Sequence, residues 1–491
     1  MLRLPLINDP IFNPVISNDL GSIMVNKVIF PGLVRPDEQL QPSPDLAVSW
    51  TQSADGRTYT FALRPNVTWH DGVAFTAADV KFTFDQIADG KTGSRLHSDF
   101  AAIERVDVVD SLTVRFQLKA PFAPFLSLLG YNAGIIPAHA FAGRTLSAAT
   151  DFNRLHPIGT GPFMVTQATA GSAVVLVRNP KYYRSPPILD QVIFKVIADI
   201  NVQVAQLRAG ELDVVQLEPA NLAGVQGIDG IAIIQNPVVQ HYYVGFNVGK
   251  RMFADPRVRR GLGMAVNRRA LVSGVMKGYA DLPRGTIPAA LKGYFDDSLA
   301  PPVFSQDSAR LLLSEAGWKV GTDGQLRNAA GEAFRFTLLV DKGNPTREQS
   351  ALAVQQDLKA IGIDVTLQTM EFASEVRDFI LPGKFDAHLI WWTTPPDPDQ
   401  YAFYATGQDN NNVRYSNRRV DSLLALGRAT RDSAQRKAVY VAFQEEEQRD
   451  PPVLVLFYPR EILAVTTDLQ HLPALTLRDA LRWAERLGVK H

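Results

Sequence analysis

The 491-residue chain has no cysteine, which excludes disulfides, thiolate nucleophiles and cysteine-ligated zinc or iron–sulfur centres, and leaves its redox compartment unread. It also lacks net charge: Lys+Arg 50 stand against Asp+Glu 50, so no chain-wide field gathers nucleic acid or an anionic membrane, and only a local basic patch stays open. No stretch approaches the ~18 consecutive apolar residues that cross a bilayer. The most apolar short run, Val453 to Phe457, has the length of a buried strand. The start, Met1-Leu2-Arg3-Leu4-Pro5-Leu6, has neither a long apolar core nor a small-residue cleavage site. It fits a cytosolic protein and a mature exported one equally.

Catalytic constellations are missing as well. There is no G-x-S-x-G elbow and no H-E-x-x-H, and Gly90-Lys91-Thr92 lacks the upstream glycine of a phosphate loop because Asp85 holds that position. Gly261-Leu262-Gly263 sits inside a predicted helix, against a dinucleotide fingerprint. The histidines, His70, His97, His139, His156, His241, His388, His471 and His491, are scattered without metal-ligand spacing. The acidic runs Asp296-Asp297 and Glu445-Glu446-Glu447 fall in turn and helix-surface sequence. No catalytic residue, metal or cofactor is therefore expected.

What is present is material for packed cores: 46% hydrophobic residues over a length that suggests roughly three structural units. Trp50 to Leu63 reads as a hairpin about Ser53-Ala54-Asp55-Gly56. Thr76 with Asp79 resembles a capping box ahead of a helix burying Val80, Phe84 and Ile87. Strands follow at Val106 to Val109 and Leu112 to Leu118, so residues 36–154 read as one α+β unit. Beyond them strands and helices alternate: a strand at Val192 to Val196, a short helix capped by Asn201 and ending at Gly210, and a strand at Leu212 to Leu217. Asp255-Pro256 opens a helix with Val258, Leu262, Ala265 and Val266 as its apolar stripe. Arg257, Arg259, Arg260, Arg268 and Arg269 crowd this region and, without interleaved aromatics, read as a solvated helix face rather than a nucleic-acid site. Helices are predicted at 305–316 and 346–361, each closed by a glycine, with strands at Ile363 to Leu367 and Phe385 to Trp391.

The last of these strands runs into Trp391-Trp392-Thr393-Thr394-Pro395-Pro396-Asp397-Pro398-Asp399. Ligands favour strand ends, and two indoles ahead of three prolines make a rigid apolar wall with few rotamers to freeze. Trp391 and Trp392 face opposite sides of the strand, so one is expected to pack in the core and the other to line a cavity; which does which is left open.

Taken in order, many short motifs resemble one family along nearly the whole chain: the family 5 extracellular solute-binding proteins, the dipeptide, oligopeptide and nickel-binding receptors of ABC importers. The likeness is carried by Leu46-Ala47-Val48-Ser49-Trp50 with Asp55-Gly56-Arg57-Thr58-Tyr59-Thr60-Phe61, by Trp69-His70-Asp71-Gly72 and Thr76-Ala77-Ala78-Asp79-Val80, and by Gly159-Thr160-Gly161-Pro162-Phe163. Arg178-Asn179-Pro180, Ala209-Gly210-Glu211-Leu212-Asp213, Phe246-Asn247, Asp255-Pro256-Arg257-Val258-Arg259 and Asp397-Pro398-Asp399 continue it. Most of these positions read as fold determinants, Gly56 and Gly72 in turns and Gly159 and Gly161 where other residues resist the backbone geometry.

The resemblance implies an α/β, two-lobed periplasmic-binding-protein fold, type II and of the large peptide-receptor variety, with an extra α+β subdomain and two hinge strands that close on ligand. Carried over, lobe I comprises residues 1–35, 155–245 and 465–491, the subdomain 36–154, and lobe II 246–464. The implied function is that of a non-enzymatic receptor, periplasmic or membrane-anchored outside the cell. It would capture a small organic solute, peptide or peptide-like, in an interlobe cleft and deliver it to a membrane-embedded ABC permease; a monomer is expected. A hydrolase or a sensor finds less support. Solute contacts are expected from Asn18, Asp19, Leu20 and Gly21, from Tyr131 and Asn132, from Arg347, whose fork suits an anionic group, and from Trp391, Trp392, Thr394 and Asp397. Peptide binders of the family place an aspartate three residues after the tryptophan of this loop; here those positions hold Thr394 or Pro395. A ligand without a free amino terminus is therefore expected, such as a modified or cyclic peptide, an opine-like conjugate or a sugar derivative. Ordinary short peptides are the alternative, with Asp397 the nearest acid to replace the missing one. A metal chelate is a further option, made less apt by Gly130-Tyr131-Asn132-Ala133-Gly134 where nickel-chelate receptors carry arginines.

Overall fold

The computed structural model describes residues 1–490; His491, one of the eight histidines, lies outside them. Its contacts divide the chain into two compact units, Met1–Asn236 with Glu461–His491, and Pro237–Arg460. The chain thus crosses between units at Asn236–Pro237 and again inside the long strand Leu454–Thr466.

Unit 1 is built on two four-stranded sheets. In the first, Leu2–Leu6 lies parallel to Gln191–Val196, which continues antiparallel through Ala173–Arg178 to Phe163–Thr169. In the second, Ala47–Gln52, Thr58–Leu63, Thr113–Leu118 and Ile103–Asp110 follow in antiparallel order. The predicted hairpin is present, its turn carried by Gly56 at φ 73°. So is the capping box, with Ala78 N donating to Thr76 Oγ1 and Thr76 N donating to Asp79 Oδ2 ahead of the helix Ala77–Ala88. Val80, Phe84 and Ile87 of that helix are buried, in a core continuous with the first sheet. The short helix Ile200–Arg208 is capped by Asp199, whose carboxylate accepts from Asn201 N and Val202 N, and not by Asn201 as the sequence suggested. The carboxylate two residues earlier, at the position that precedes the first helical residue, reaches both free amides.

Gly159 and Gly161 are required for space. Neither has positive φ; a Cβ on either would sit 2.0–2.2 Å from a carbonyl oxygen of Val28 or Ile29, at the end of the helix Leu20–Ile29. His70 joins the same junction, accepting from Gly159 N at 3.2 Å and meeting Gly161 O at 3.1 Å.

Unit 2 holds Gln240–Phe246 antiparallel to Ala387–Thr393, which runs parallel to Arg335–Asp341, itself parallel to Asp364–Met370. Tyr242, Val244, Ala387 and Leu389 face one core, under the helices Pro256–Ala265, Gln306–Glu315 and Pro345–Lys359. Asp255 caps the first of these, its carboxylate accepting from Arg257 N at 2.8 Å. The opposite face of the same strand pair carries His241, Tyr243 and His388, with ring centroids 5.4 and 5.7 Å apart in succession. Because side chains alternate along a strand, one core and one polar surface are fixed by a single register.

Candidate functional site

In unit 1 the sequence candidates gather around the start of the helix Leu20–Ile29 and the end of the helix Phe125–Asn132. Asn18 and Leu20 are exposed and Gly21 is buried. Asp19 is committed to the helix: its carboxylate accepts from Ser22 N at 2.9 Å and from Ser22 Oγ at 2.5 Å. Tyr131 is buried and Asn132 donates to Asp99 at 2.7 Å. A recess beside them is lined by Ser17, Asn26, Lys27, Arg95, Asn132 and Gly134.

Around Tyr131 stand cations that sequence reading missed. Lys27 Nζ and Arg482 Nη2 both donate to its carbonyl oxygen, at 2.5 and 2.6 Å. The Arg478 guanidinium lies 4.1 Å from its ring centroid and pairs with Asp479 at 3.1 Å. Arg95 donates to Ser17 O at 3.3 Å. Burial, then Arg482 and Arg478, holds the Lys27 ammonium well below its usual range; burial lowers Arg95 and raises Asp99. Four basic side chains thus cluster about Tyr131, two of them, Lys27 and Arg95, lining the recess, with Asp99 and Asp479 as the nearest acids. A sequence signal for part of it existed. Arg478, Arg482 and Arg486 recur every four residues among Leu475, Leu477, Ala480, Leu481, Trp483, Ala484 and Leu487, with Asp479 and Glu485 beside them, a pattern in which much of the charge must turn inward or stack.

In unit 2 the structure brings some candidates together and retires others as solute contacts of the simple kind expected. Trp391, 36% exposed, is the open indole; Trp392 packs on Phe403 with centroids 4.5 Å apart. Thr394 is buried with Oγ1 unpaired. Asp397 is buried and bound by both terminal nitrogens of Arg436, at 2.8 and 2.6 Å, and it also accepts from Asp399 N at 3.0 Å. Its charge is thereby spent within the fold. Arg347 is buried and pairs through Nη2 with Asp341 at 2.6 Å, with Phe372 5.3 Å from its guanidinium, while Nε and Nη1 have no hydrogen-bond partner.

Beside Arg347 lies Glu375, fully buried, both oxygens unpaired. Burial, then Asp341, pushes it up to about 7. His388 and Gln400, also fully buried, leave both polar side-chain atoms unpaired, and burial lowers His241 and His388 to about 3, so both rings are neutral. Buried polar atoms are nearly always satisfied, and these side chains depart from that rule. Glu375, His388 and Gln400 carry no motif or spacing signal in the sequence.

Comparison with known proteins gives this geometry its context. The oligopeptide-binding protein AppA of Bacillus subtilis is 29% identical over 94% of this chain and 86% of its own length. Its structure in complex with a nonapeptide superposes with a TM-score of 0.82 at 28% identity, covering 100% of this chain and 99% of that one. A glutathione-binding protein, GsiB of Pectobacterium atrosepticum, is 28% identical over 92% of this chain and 87% of its own. NikZ of Campylobacter jejuni, solved with Ni(L-His), matches with a TM-score of 0.83 at 27% identity over 100% and 99% of the two chains. These neighbours bear out the two-lobed, type II binding-protein fold expected from the motifs. With residues 41–413 matching the model of the bacterial extracellular solute-binding proteins, family 5 middle region, the chain belongs to the family 5 bacterial extracellular solute-binding proteins.

Proposed function

We propose that this receptor captures a peptide-like acid outside the cytoplasmic membrane and passes it to an ABC import permease, acting as a monomer and without catalysis. The observation that carries the ligand class is the basic surface around Tyr131, where Lys27, Arg95, Arg478 and Arg482 outnumber their acids. Burial first, and then repulsion from Arg482 and Arg478, depresses Lys27, and a carboxylate placed there offsets the second of these. Relatives named for oligopeptides and glutathione support a peptide-like body. No helix among the described residues is long and apolar enough to cross a membrane. Asn18, Asn132, Arg347, Trp391 and Thr394 remain the proposed contacts from the sequence, joined by Lys27 and Arg95, while Trp392 packs on Phe403. Asp397 is withdrawn from charge pairing with a ligand ammonium because Arg436 holds it; a free amino terminus is accordingly not required.

Calorimetric titration with di- to pentapeptides, and with their N-acetylated and C-amidated forms, tests this. N-acetylation is expected to leave affinity within about threefold and C-amidation to lower it at least tenfold, about 1.4 kcal/mol. Binding that needs the amine and ignores the carboxylate would reverse the assignment.

A further inference from the structure

In the arginine-rich stretch around the helix Pro256–Ala265, Arg257, Arg260 and Arg269 are exposed as the sequence suggests, but Arg259 and Arg268 are 4% and 6% exposed. Arg259 is balanced by an ion pair with Asp450 and by the carbonyls of Phe253, Ala254 and Pro451. Arg268 is not balanced. Its Nε donates to Val455 O at 2.7 Å and Nη1 to Gly263 O at 2.8 Å, both neutral acceptors. Nη2 makes no hydrogen bond and no carboxylate pairs with the guanidinium among the described residues. Burial alone lowers it to about 10, so it keeps its charge at neutral pH.

Arg268 lines a pocket of about 280 Å³ that lies wholly within unit 2. That is close to the ~300 Å³ lower bound for small-molecule sites. Arg260 and Arg284 also line it without a carboxylate partner among the described residues; Arg284 spends Nη1 on the carbonyls of Asp297 and Leu299. The one acid on the wall is Glu447, which accepts from Thr286 Oγ1 at 2.5 Å. Burial pushes it up to about 8, leaving it mostly uncharged at neutral pH. Apart from Arg259, Thr286 and Gln448, the remaining wall is apolar and stiff: five prolines, with Met264, Val303 and Leu454. Proline surfaces lose no rotamer freedom when a ligand arrives, and a thioether packs well against an aromatic edge.

We propose that this pocket is a second binding site, for a small aryl carboxylate whose anionic group pairs with Arg268 and Arg260 and whose ring packs between Met264, Val303 and the proline wall. The charge fits because a guanidinium with one free edge is completed by a carboxylate oxygen. The size fits a single ring rather than a peptide. The site does not depend on what the receptor transports.

Benzoate is the probe, benzamide its uncharged counterpart, and isothermal titration the readout. Benzoate is expected to bind one to one with Kd below ~1 mM and benzamide at least about tenfold more weakly. Arg268→Lys, which keeps the charge and loses the fork, should weaken benzoate about tenfold. Because Arg268 also ties two carbonyls, Val303→Trp is the companion variant. Val303 is 61% exposed, so the fold tolerates the indole, which should block the pocket and abolish binding. Arg95→Ala, in unit 1, should leave benzoate binding unchanged. Equal affinity for benzoate and benzamide, undiminished binding in Val303→Trp, or loss of binding in Arg95→Ala would each overturn the proposal.

Discussion

Asp397→Asn isolates the difference between a ligand-binding acid and a structural one. Asp397 and Arg436 are each 5% exposed and joined by two short hydrogen bonds. Arg436 also donates to Gly427 O at 2.9 Å and Tyr294 OH at 3.2 Å, between the rings of Tyr294 and Tyr440, both 5.3 Å away. Burial works against its charge, and Asp397 more than offsets that, so the guanidinium is held above its usual range. The asparagine amide keeps one acceptor and replaces the other with a donor aimed at a guanidinium nitrogen. Removing one partner of such a buried pair costs about 3–5 kcal/mol, mostly from the charge left behind. Urea denaturation of the unliganded protein should show that loss as a lower midpoint at unchanged m-value. The double variant Asp397→Leu with Arg436→Met should recover most of it, because apolar replacements remove both desolvation penalties together. Calorimetry on whatever folded Asp397→Asn remains should find solute affinity near that of the parent. If the single variant were as stable as the parent to within ~0.5 kcal/mol and had lost its affinity, the structural reading of this acid would be wrong.

Three further outcomes follow from the same physics. Trp391→Ala should change stability by less than about 1 kcal/mol while weakening solute binding by about 2 kcal/mol or more, whereas Trp392→Ala, which empties the space against Phe403, should cost about 3 kcal/mol of stability; paired melts and titrations separate them. Gly161→Ala drives a methyl into Val28 O at 2.2 Å and should lower the urea midpoint by an amount worth more than about 3 kcal/mol, or yield no folded protein. Glu447 has its folded pKa raised to about 8 from an unfolded value of about 4.3, so the stability linked to its neutral form is complete at low pH and is lost as pH rises through 8. Relative to the parent, Glu447→Gln should therefore gain about 1.4 kcal/mol per pH unit across that window, and a stability difference flat between pH 5 and 9 would contradict it.

Local chemistry explains which parts of the fold were readable. The capping box at Thr76, the Asp255-Pro256 helix start and the turn at Gly56 are decided within four residues, and the structure repeats them. The strand Ala387–Thr393 was readable from alternation, but not the burial of its far face, because His388 and Ile390 are hidden by segments distant in sequence. Asp397 looked like turn chemistry or a ligand acid; its true partner is 39 residues on, at Arg436. Two of the arginines near the helix Pro256–Ala265 misled for the same reason: the strand beginning at Leu454 packs on Arg268, and no periodicity around residue 268 encodes that. Gly159 and Gly161 were flagged for their freedom of φ, whereas the constraint is the helix end packed against them.

The division of the chain also sets the order in which it can fold. Unit 2 is one uninterrupted segment, while unit 1 is completed only by residues beyond Arg460. Those last residues are structural: Leu463, Val465, Leu477, Leu481 and Leu487 sit in the unit 1 core, Val214–Leu217 pairs with the end of the strand Leu454–Thr466, and Arg35 forms its ion pair with Glu485. At roughly 5–20 residues per second, synthesis of the more than two hundred residues of unit 2 takes tens of seconds. Throughout that interval the earlier-made unit lacks the strand that pairs with Val214–Leu217, part of its core and the counter-charge for Arg35. The later-made unit is thus the first that can close its own core, and the first-made one is the segment most in need of shelter until synthesis ends.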